Sequence, residues 1–462
     1  MAEAAGPRRD RLTSLLVAAT LGVYLLIAAG ITAALSDAVA ACPTWPLCGV
    51  HPLAALEDLS LAIALGHRVA ALVVAVVLLA AVWAAWRDGA VRRVRLSLTL
   101  AAALYPLQVG VGAWTVLAGG ADWLSAAHLV TAMALFSALL VALLWQLEAV
   151  TPDDEPAREA STDEAPSRPP ASTTGPLGTL RAYLTLTKPK LWWLLSLVAL
   201  AAMALAAGPA LDLWVVIATV SGGVLAIAAS GTFNNVLERD RDRRMARTRD
   251  RPLVEDTIPV WRAVAFGGLL TVASVAVFLA FVNVLAAALG LLAILFYAVV
   301  YTLVLKPHTD QNTVLGGAAG AFPALIGWAA VEQTIALEAV VLAAVIFLWT
   351  PAHFYNLALV YRQDYERADF PMLPVVRGAA VTRRHVLLYL GATMLSAVLL
   401  GAVTRLDWLY AGTAVGVGAL FLWAVVAQFA QRTDRAAART FVASNVYLGL
   451  LLLAVLVDAI AI

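Results

Sequence analysis

The chain has 462 residues, of which 62% are hydrophobic and 13% charged, about half the charged share usual in soluble domains. No soluble core hides that much apolar surface, and a formal net charge of +1 gives no electrostatic argument for nucleic acid. Two cysteines, Cys42 and Cys48, exclude a disulfide-dense scaffold and a four-cysteine zinc site.

Runs of about 20 apolar residues each cross the ~30 Å hydrocarbon layer as a helix. Arg8, Arg9 and Arg11 precede the first run, near 13–35, which is long enough to span and is expected to be retained as a helix. Three more runs fall near 59–86, 97–118 and 123–148. The segment 151–178 then carries Asp153, Asp154, Glu155, Glu159, Asp163 and Glu164 among Pro, Ser and Thr, and is expected to be a disordered acidic linker. Further runs lie near 191–208, 211–235, 261–282, 285–305, 312–331, 336–360, 386–403, 408–429 and 441–461. The fold class is therefore an all-α polytopic membrane protein of about four plus nine transmembrane helices, divided as 1–150, the linker, and 179–462.

Lys and Arg concentrate in alternate loops: Arg8–Arg11, Arg87–Arg95, Arg239–Arg251, Lys306, Arg362–Arg367, Arg383–Arg384 and Arg432–Arg439. Arg405 is the exception on the other side. The positive-inside rule then places the N-terminus and linker in the cytoplasm, the C-terminus outside, and Cys42 and Cys48 on the extracytoplasmic side of the cell membrane.

The most informative stretch runs from Asn234-Asn235 through Glu238 and Asp242 to Arg247-Thr248, where an apolar run reaches the basic side. Asn234, Glu238 and Asp242 are four apart and share one helix stripe, with Asn235 at its border. Carboxylates and amide oxygens packed this densely suit Mg²⁺, which keeps waters and bridges to substrate phosphates. Flanking arginines suit phosphate. The plainer reading is a solvated helix end, but it explains less well why Asn234, Asn235 and Glu238 sit at the membrane edge, where polar groups are costly. Two further loops on the same side are unusual. One holds Tyr297, Tyr301, Thr302, Lys306, Pro307 and His308; the other runs from Trp349-Thr350-Pro351-Ala352-His353-Phe354 to Asp364-Tyr365-Glu366 and Met372-Leu373-Pro374. By themselves, a Lys at a helix end is normally a snorkelling anchor and a Tyr pair four apart is normally packing.

Together these segments, with Lys188-Pro189-Lys190 and Gly320-Ala321-Phe322-Pro323, resemble the UbiA-type intramembrane prenyltransferases, and among them the protoheme IX farnesyltransferases, over nearly all of 180–462. Glu238 stands where that pattern has Asp, Pro307 where Arg follows the Lys, and Ala368 where a second acidic residue stands, with Asp369 one place late. The resemblance implies a nine-helix bundle and transfer of a farnesyl group from farnesyl diphosphate to a vinyl group of heme b, with addition of water. It implies Asn235, Glu238, Asp242 and Asp364 as Mg²⁺ ligands, Lys188, Lys306 and Arg247 at the diphosphate, and Asn234, Phe233, Tyr297, Tyr301 and His353 facing substrate. Other acceptors, such as a quinone precursor or a lipid, and a heme carrier with an inert enzyme half, are the alternatives.

In the N-terminal part His67 and His128 fall at similar depth in helices that run the same way. A lone intramembrane His is usually a hydrogen-bonded packing residue, but two at one depth in a four-helix bundle fit a bis-histidine heme site. Cys42 and Cys48, His67-Arg68, Gln108 and His128 resemble one half of heme A synthase over about 12–148, with Ala64 where the cofactor-side half has Glu. That implies a heme-holding module, and heme A synthase or oxidase assembly factors as partners. Cys42 and Cys48 fit either a redox pair or a structural loop disulfide.

Overall fold

In the computed structural model, residues 7–35, 38–49, 57–151, 175–404 and 406–461 are described. Most of the acidic segment 151–178, and Arg405, lie outside them; Pro176–Leu186 is already helix, with Pro at the position whose missing N–H costs nothing. Among the described residues there are 13 helices long and apolar enough to cross a membrane. They are α1 (Pro7–Leu35), α2 (Leu59–Arg87), α3 (Arg92–Leu117) and α4 (Asp122–Val150). Then follow α5 (Trp192–Ala207), α6 (Leu213–Leu237), α7 (Val260–Phe281), α8 (Val284–His308) and α9 (Asn312–Glu332). The last four are α10 (Leu337–Val360), α11 (Gly378–Val403), α12 (Trp408–Gln431) and α13 (Asp434–Ala461). The helices α11 and α13 start several residues before their apolar runs, because Thr, Arg and Asp continue a helix out of the apolar layer as readily as they end it.

The chain divides into two compact units: residues 1–154 with 397–431, and residues 155–396 with 432–462. In the first, α1 packs against α2, α4 and α12, and α3 lies along α4. Chain position alone groups α12 with the second part; the structure groups it with the first. Arg87 lies over Trp83, Arg95 over Trp86 and Arg93 over Trp145, each within 5.0 Å of the ring centroid, an interfacial belt of cations on aromatic faces. Cys42 and Cys48 are joined by a disulfide. The Arg68 guanidinium donates to the carbonyls of Cys42, Thr44 and Pro46, so the loop's inward-facing acceptors are satisfied by α2.

In the second unit α5, α6, α7, α8, α9, α10 and α13 close a ring, each packed on the next and α13 on α5. Asp212 and Asn283 cap α6 and α8, and Asn283 Nδ2 also donates to Ala329 O at 2.7 Å, tying α8 to α9. A close crossing joins α5 and α9, where a Cβ on Gly327 would lie 2.3 Å from Ala199 O. Backbone there meets backbone, so nothing yields cheaply. Gly327→Ala is expected to cost about 1–3 kcal/mol, read as a lower unfolding temperature in detergent. Gly268→Ala on α7, where a Cβ meets nothing within 4 Å, serves as the control and leaves the temperature level or higher. Equal behaviour of the two variants would refute the close crossing.

Candidate active site

The ring's chemistry gathers where α6 ends. Asn234 (1% exposed), Glu238 (4%) and Asp242 (1%) are buried along one stripe, continued past Leu237 by the single turn Arg239–Asp242. Buried carboxylates persist only when paired. Lys306 Nζ donates to Glu238 Oε1 at 2.6 Å, and Arg251 donates to Asp242 Oδ2 at 2.5 Å. Lys188 Nζ donates to Asn234 Oδ1, and Asn234 Nδ2 donates to Thr302 Oγ1 at 2.9 Å. Three distant segments therefore meet on one stripe.

Lys188 reaches it from a turn at φ +52, a left-handed conformation that a non-glycine residue holds only under constraint. The constraint is visible. Asn235 Nδ2 donates to Leu186 O and Gly231 O, both at 2.9 Å, and Trp192 Nε1 donates to Thr187 O at 3.0 Å. At Gly231 a Cβ would stand 3.2 Å from the carbonyl oxygens of Leu186 and Thr187, so this turn needs a glycine beneath it. The structure thus places Asn235 as a clamp on the Lys188 turn, one residue off the stripe of Asn234 and Glu238.

Lys306 arrives through α8, which is α-helical to Leu295 and π-helical over Phe296–Leu305. Such wide turns are rare and frequent at functional sites. Thr302 Oγ1 bonds Tyr297 O five residues back at 2.8 Å, and the rings of Tyr297 and Tyr301 lie 5.4 Å apart. Lys188 Nζ sits 5.8 Å over Tyr297 and Lys306 Nζ 4.4 Å over Phe370. Nothing local in the sequence marks Phe370 or Arg251: the first hides among ordinary loop aromatics and the second in a run of arginines.

Asp364 holds the next loop. It accepts from the backbone N–H of Ala246 (3.1 Å) and Arg247 (3.2 Å) and from Arg367 (2.6 Å). Arg247 then lies 4.6 Å over Tyr361 and donates to Tyr365 Oη at 3.3 Å. Asp369 pairs with Arg244, Glu366 is exposed, and His308 bonds Val304 O on its own helix. Among the described residues no three acidic, imidazole or thiol groups converge as a ready metal cage. The oxygens present still suit Mg²⁺: Asp242 Oδ1 is buried with no hydrogen-bond partner, a hard acceptor left for a cation. Burial raises the Glu238 carboxyl, but Lys306, Lys188 and Arg251 outweigh it and lower its pKa. For Asp242 burial prevails over Arg251 and the pKa is raised. Burial, helped by Arg251, lowers the Lys188 ammonium to about 7.

Next to the charged end, α5, α6, α8 and α9 line a partly open apolar cavity of ≈ 90 Å³. It runs from Gly231 and Tyr297 to Thr219 and Ala199, about 18 Å of helix at 1.5 Å per residue. Midway, a Cβ on Gly223 would meet nothing within 4 Å. His353 lies apart from the stripe, about two turns before the end of α10, bonded to Ser444.

In the first unit His67 packs against Gly30 and His128 against Gly112, where added Cβ atoms would come within 3.3 Å and 2.7 Å of the rings. Both Nδ1 atoms are buried without a partner, and Gln108 Nε2 lies 3.2 Å from His128 Nε2. His67 lines a cavity of ≈ 220 Å³ together with Leu25, Ile63 and Trp408.

A helical membrane ring with buried carboxylates and cations over an apolar cavity is the architecture of an enzyme that handles an anion with a long apolar tail. The UbiA prenyltransferase family matches over residues 195–451, and the cytochrome oxidase assembly protein family over residues 2–140. Protoheme IX farnesyltransferase 1 of Natronomonas pharaonis is 55% identical over 98% of this chain and 100% of its own length. Protoheme IX farnesyltransferase 1 of Saccharopolyspora erythraea is 44% identical over 63% of this chain and 93% of its own. A solved digeranylgeranylglyceryl phosphate synthase, 17% identical, covers 61% of this chain and 99% of its own with a TM-score of 0.52, a likeness of fold. The chain belongs to the UbiA prenyltransferase family, among the protoheme IX farnesyltransferases.

Proposed function

We propose that the protein transfers a farnesyl group from farnesyl diphosphate to a vinyl group of heme b and adds water, giving heme O and diphosphate. The carrying observation is the buried cation and carboxylate stripe at the end of α6, which begins about one turn past Gly231 of the apolar cavity. The diphosphate lies among Lys188, Lys306 and Arg247, and Asn234 orients Lys188 toward it. Glu238, Asp242 and Asp364, with Asn235 behind them, are the residues we assign to Mg²⁺. When bound, the ion supplies positive charge against the leaving diphosphate. Lys306 and Arg251 now neutralise Glu238 and Asp242, and exchange of those cations onto phosphate frees the carboxylates. The allylic C–O bond breaks with its electron pair leaving on the diphosphate. Tyr297, which lines the cavity and has Tyr301 beside it, is the ring we assign to face the resulting cation, and the apolar walls keep water from it. The vinyl carbon forms the new C–C bond, and water captures the heme-side cation with loss of a proton.

Purified protein incubated with heme b, farnesyl diphosphate and Mg²⁺ should give the mass of heme O. Product with a quinone precursor or a glycerophosphate lipid, and none with heme, would move the acceptor. No product with any acceptor would leave a heme carrier. The cavity is assigned to the isoprenoid tail. Gly223→Leu should cut farnesyl transfer about tenfold and favour the shorter geranyl diphosphate, read by product mass; an unchanged preference would refute that assignment.

The first unit we assign to heme held by His67 and His128; along the chain the two functional parts are 1–150 and 179–462, with α12 of the latter packed in the first unit. Heme A synthase or oxidase assembly factors are the partners this suggests. The protein is a multi-pass membrane protein. From its Lys and Arg pattern we place the N-terminus and the transfer site at the cytoplasmic face of the cell membrane and the C-terminus outside.

A further inference from the structure

Away from the carboxylate stripe, α10 and α13 hold one imidazole on three sides. The His353 ring is stacked between Trp349, with centroids 4.2 Å apart and planes at 16°, and Phe441, at 4.4 Å and 29°. Its Nδ1 lies 2.7 Å from Ser444 Oγ. Trp349 Nε1 donates to the carbonyl of the same serine at 2.9 Å, so Ser444 fixes both the imidazole and one of the rings that enclose it.

The proton on this imidazole follows from counting donors. Ser444 Oγ lies 2.6 Å from Phe441 O, and a carbonyl oxygen only accepts. The single hydroxyl hydrogen therefore goes to Phe441, and Ser444 Oγ accepts from His353 Nδ1–H. The lone pair is left on Nε2. That atom has no hydrogen-bond partner among the described residues, and the residue is half-buried, so it can be reached. A packing histidine needs no such arrangement. An imidazole that ligates a metal does: its other N–H is held by an acceptor, which sets tautomer and ring plane.

We propose that His353 Nε2 is the axial ligand for the iron of the heme acceptor, with Ser444 as its positioning residue. This rests on the reading that the acceptor is heme. Ligation through iron holds the porphyrin at its centre and leaves the vinyl-bearing edge open to reaction. The aromatic pair prevents the imidazole from turning away when iron is absent.

The test uses the full chain in detergent, with His67→Ala and His128→Ala together as background to silence the first unit. Heme b is titrated and followed by its absorption spectrum, and KM for heme and for farnesyl diphosphate are measured separately. His353→Ala should lose the histidine-ligated spectrum and raise KM for heme, leave KM for farnesyl diphosphate level, and regain the spectrum with added imidazole. Ser444→Ala should weaken heme binding by about tenfold. Should His353→Ala lose its single monodisperse peak, His353→Gln, whose amide can still donate to Ser444, decides by the same spectrum. An unchanged heme spectrum and KM in the folded variant overturn the proposal. So does the double-alanine background, with His353 intact, if it makes heme O without a histidine-ligated spectrum. A background that shows this spectrum but makes no heme O overturns the reading of the reaction instead, and leaves His353 as a heme ligand.

Discussion

Glu238→Gln lowers prenyl transfer by about 100- to 1,000-fold, with the protein still monodisperse. The amide keeps the shape and one acceptor for Lys306 Nζ, now 2.6 Å away, so the fold loses little geometry. It removes the negative charge that offsets a buried ammonium, since Lys306 is itself only 8% exposed. It also removes an ionised oxygen from the set assigned to Mg²⁺. Turnover at saturating Mg²⁺ and unfolding temperature are measured together. Asp242→Asn should behave alike, because Arg251 then loses its partner and Asp242 Oδ1 is replaced or left neutral. Wild-type turnover in both variants would remove the stripe from the chemistry. Loss of folding without any Mg²⁺ dependence in the residual rate would make the pairs structural.

Much of this stripe is legible from local spacing, and its partners are not. Four-residue intervals put Asn234, Glu238 and Asp242 on one face whatever the tertiary structure, provided the helix continues past Leu237. Lys306 stands out in the sequence as a cation at a helix end, but it lies 68 residues from Glu238 and no local rule pairs the two. Arg251 was one arginine among many in its run, and burial of Asp242 is what selects it. The π-helical stretch of α8 leaves no sequence mark, since Phe296–Leu305 reads as any apolar run, yet it sets Tyr297, Thr302 and Lys306 in register. Thirteen spans were countable because hydropathy is additive along a helix. Which of those spans are neighbours depends on small contacts between helices, so the grouping of α12 with α1 could not be read from composition.

His67→Ala or His128→Ala in the full chain is expected to abolish a low-spin bis-histidine heme spectrum from the first unit, giving high-spin heme or none. The two imidazoles come from α2 and α4, and both carry an Nδ1 that is buried without a partner. Unpaired polar atoms in an apolar bundle cost free energy unless something absent satisfies them. Glycines Gly30 and Gly112 let the rings lie against α1 and α3, where any larger residue would displace them. Gln108 Nε2 sits at His128 Nε2, so it has to withdraw when iron takes that corner, and Gln108→Ala should tighten heme binding or leave it level. The measurement adds His353→Ala throughout, which removes the ligand proposed for the acceptor heme and isolates the first unit. A low-spin spectrum that survives the double substitution of His67 and His128, or a protein that takes up no heme with both intact, would leave these residues as packing. In that case their unpaired Nδ1 atoms would have to be met by water between α2 and α4, and exchange protection of the pair, read by imidazole NMR signals, would be low.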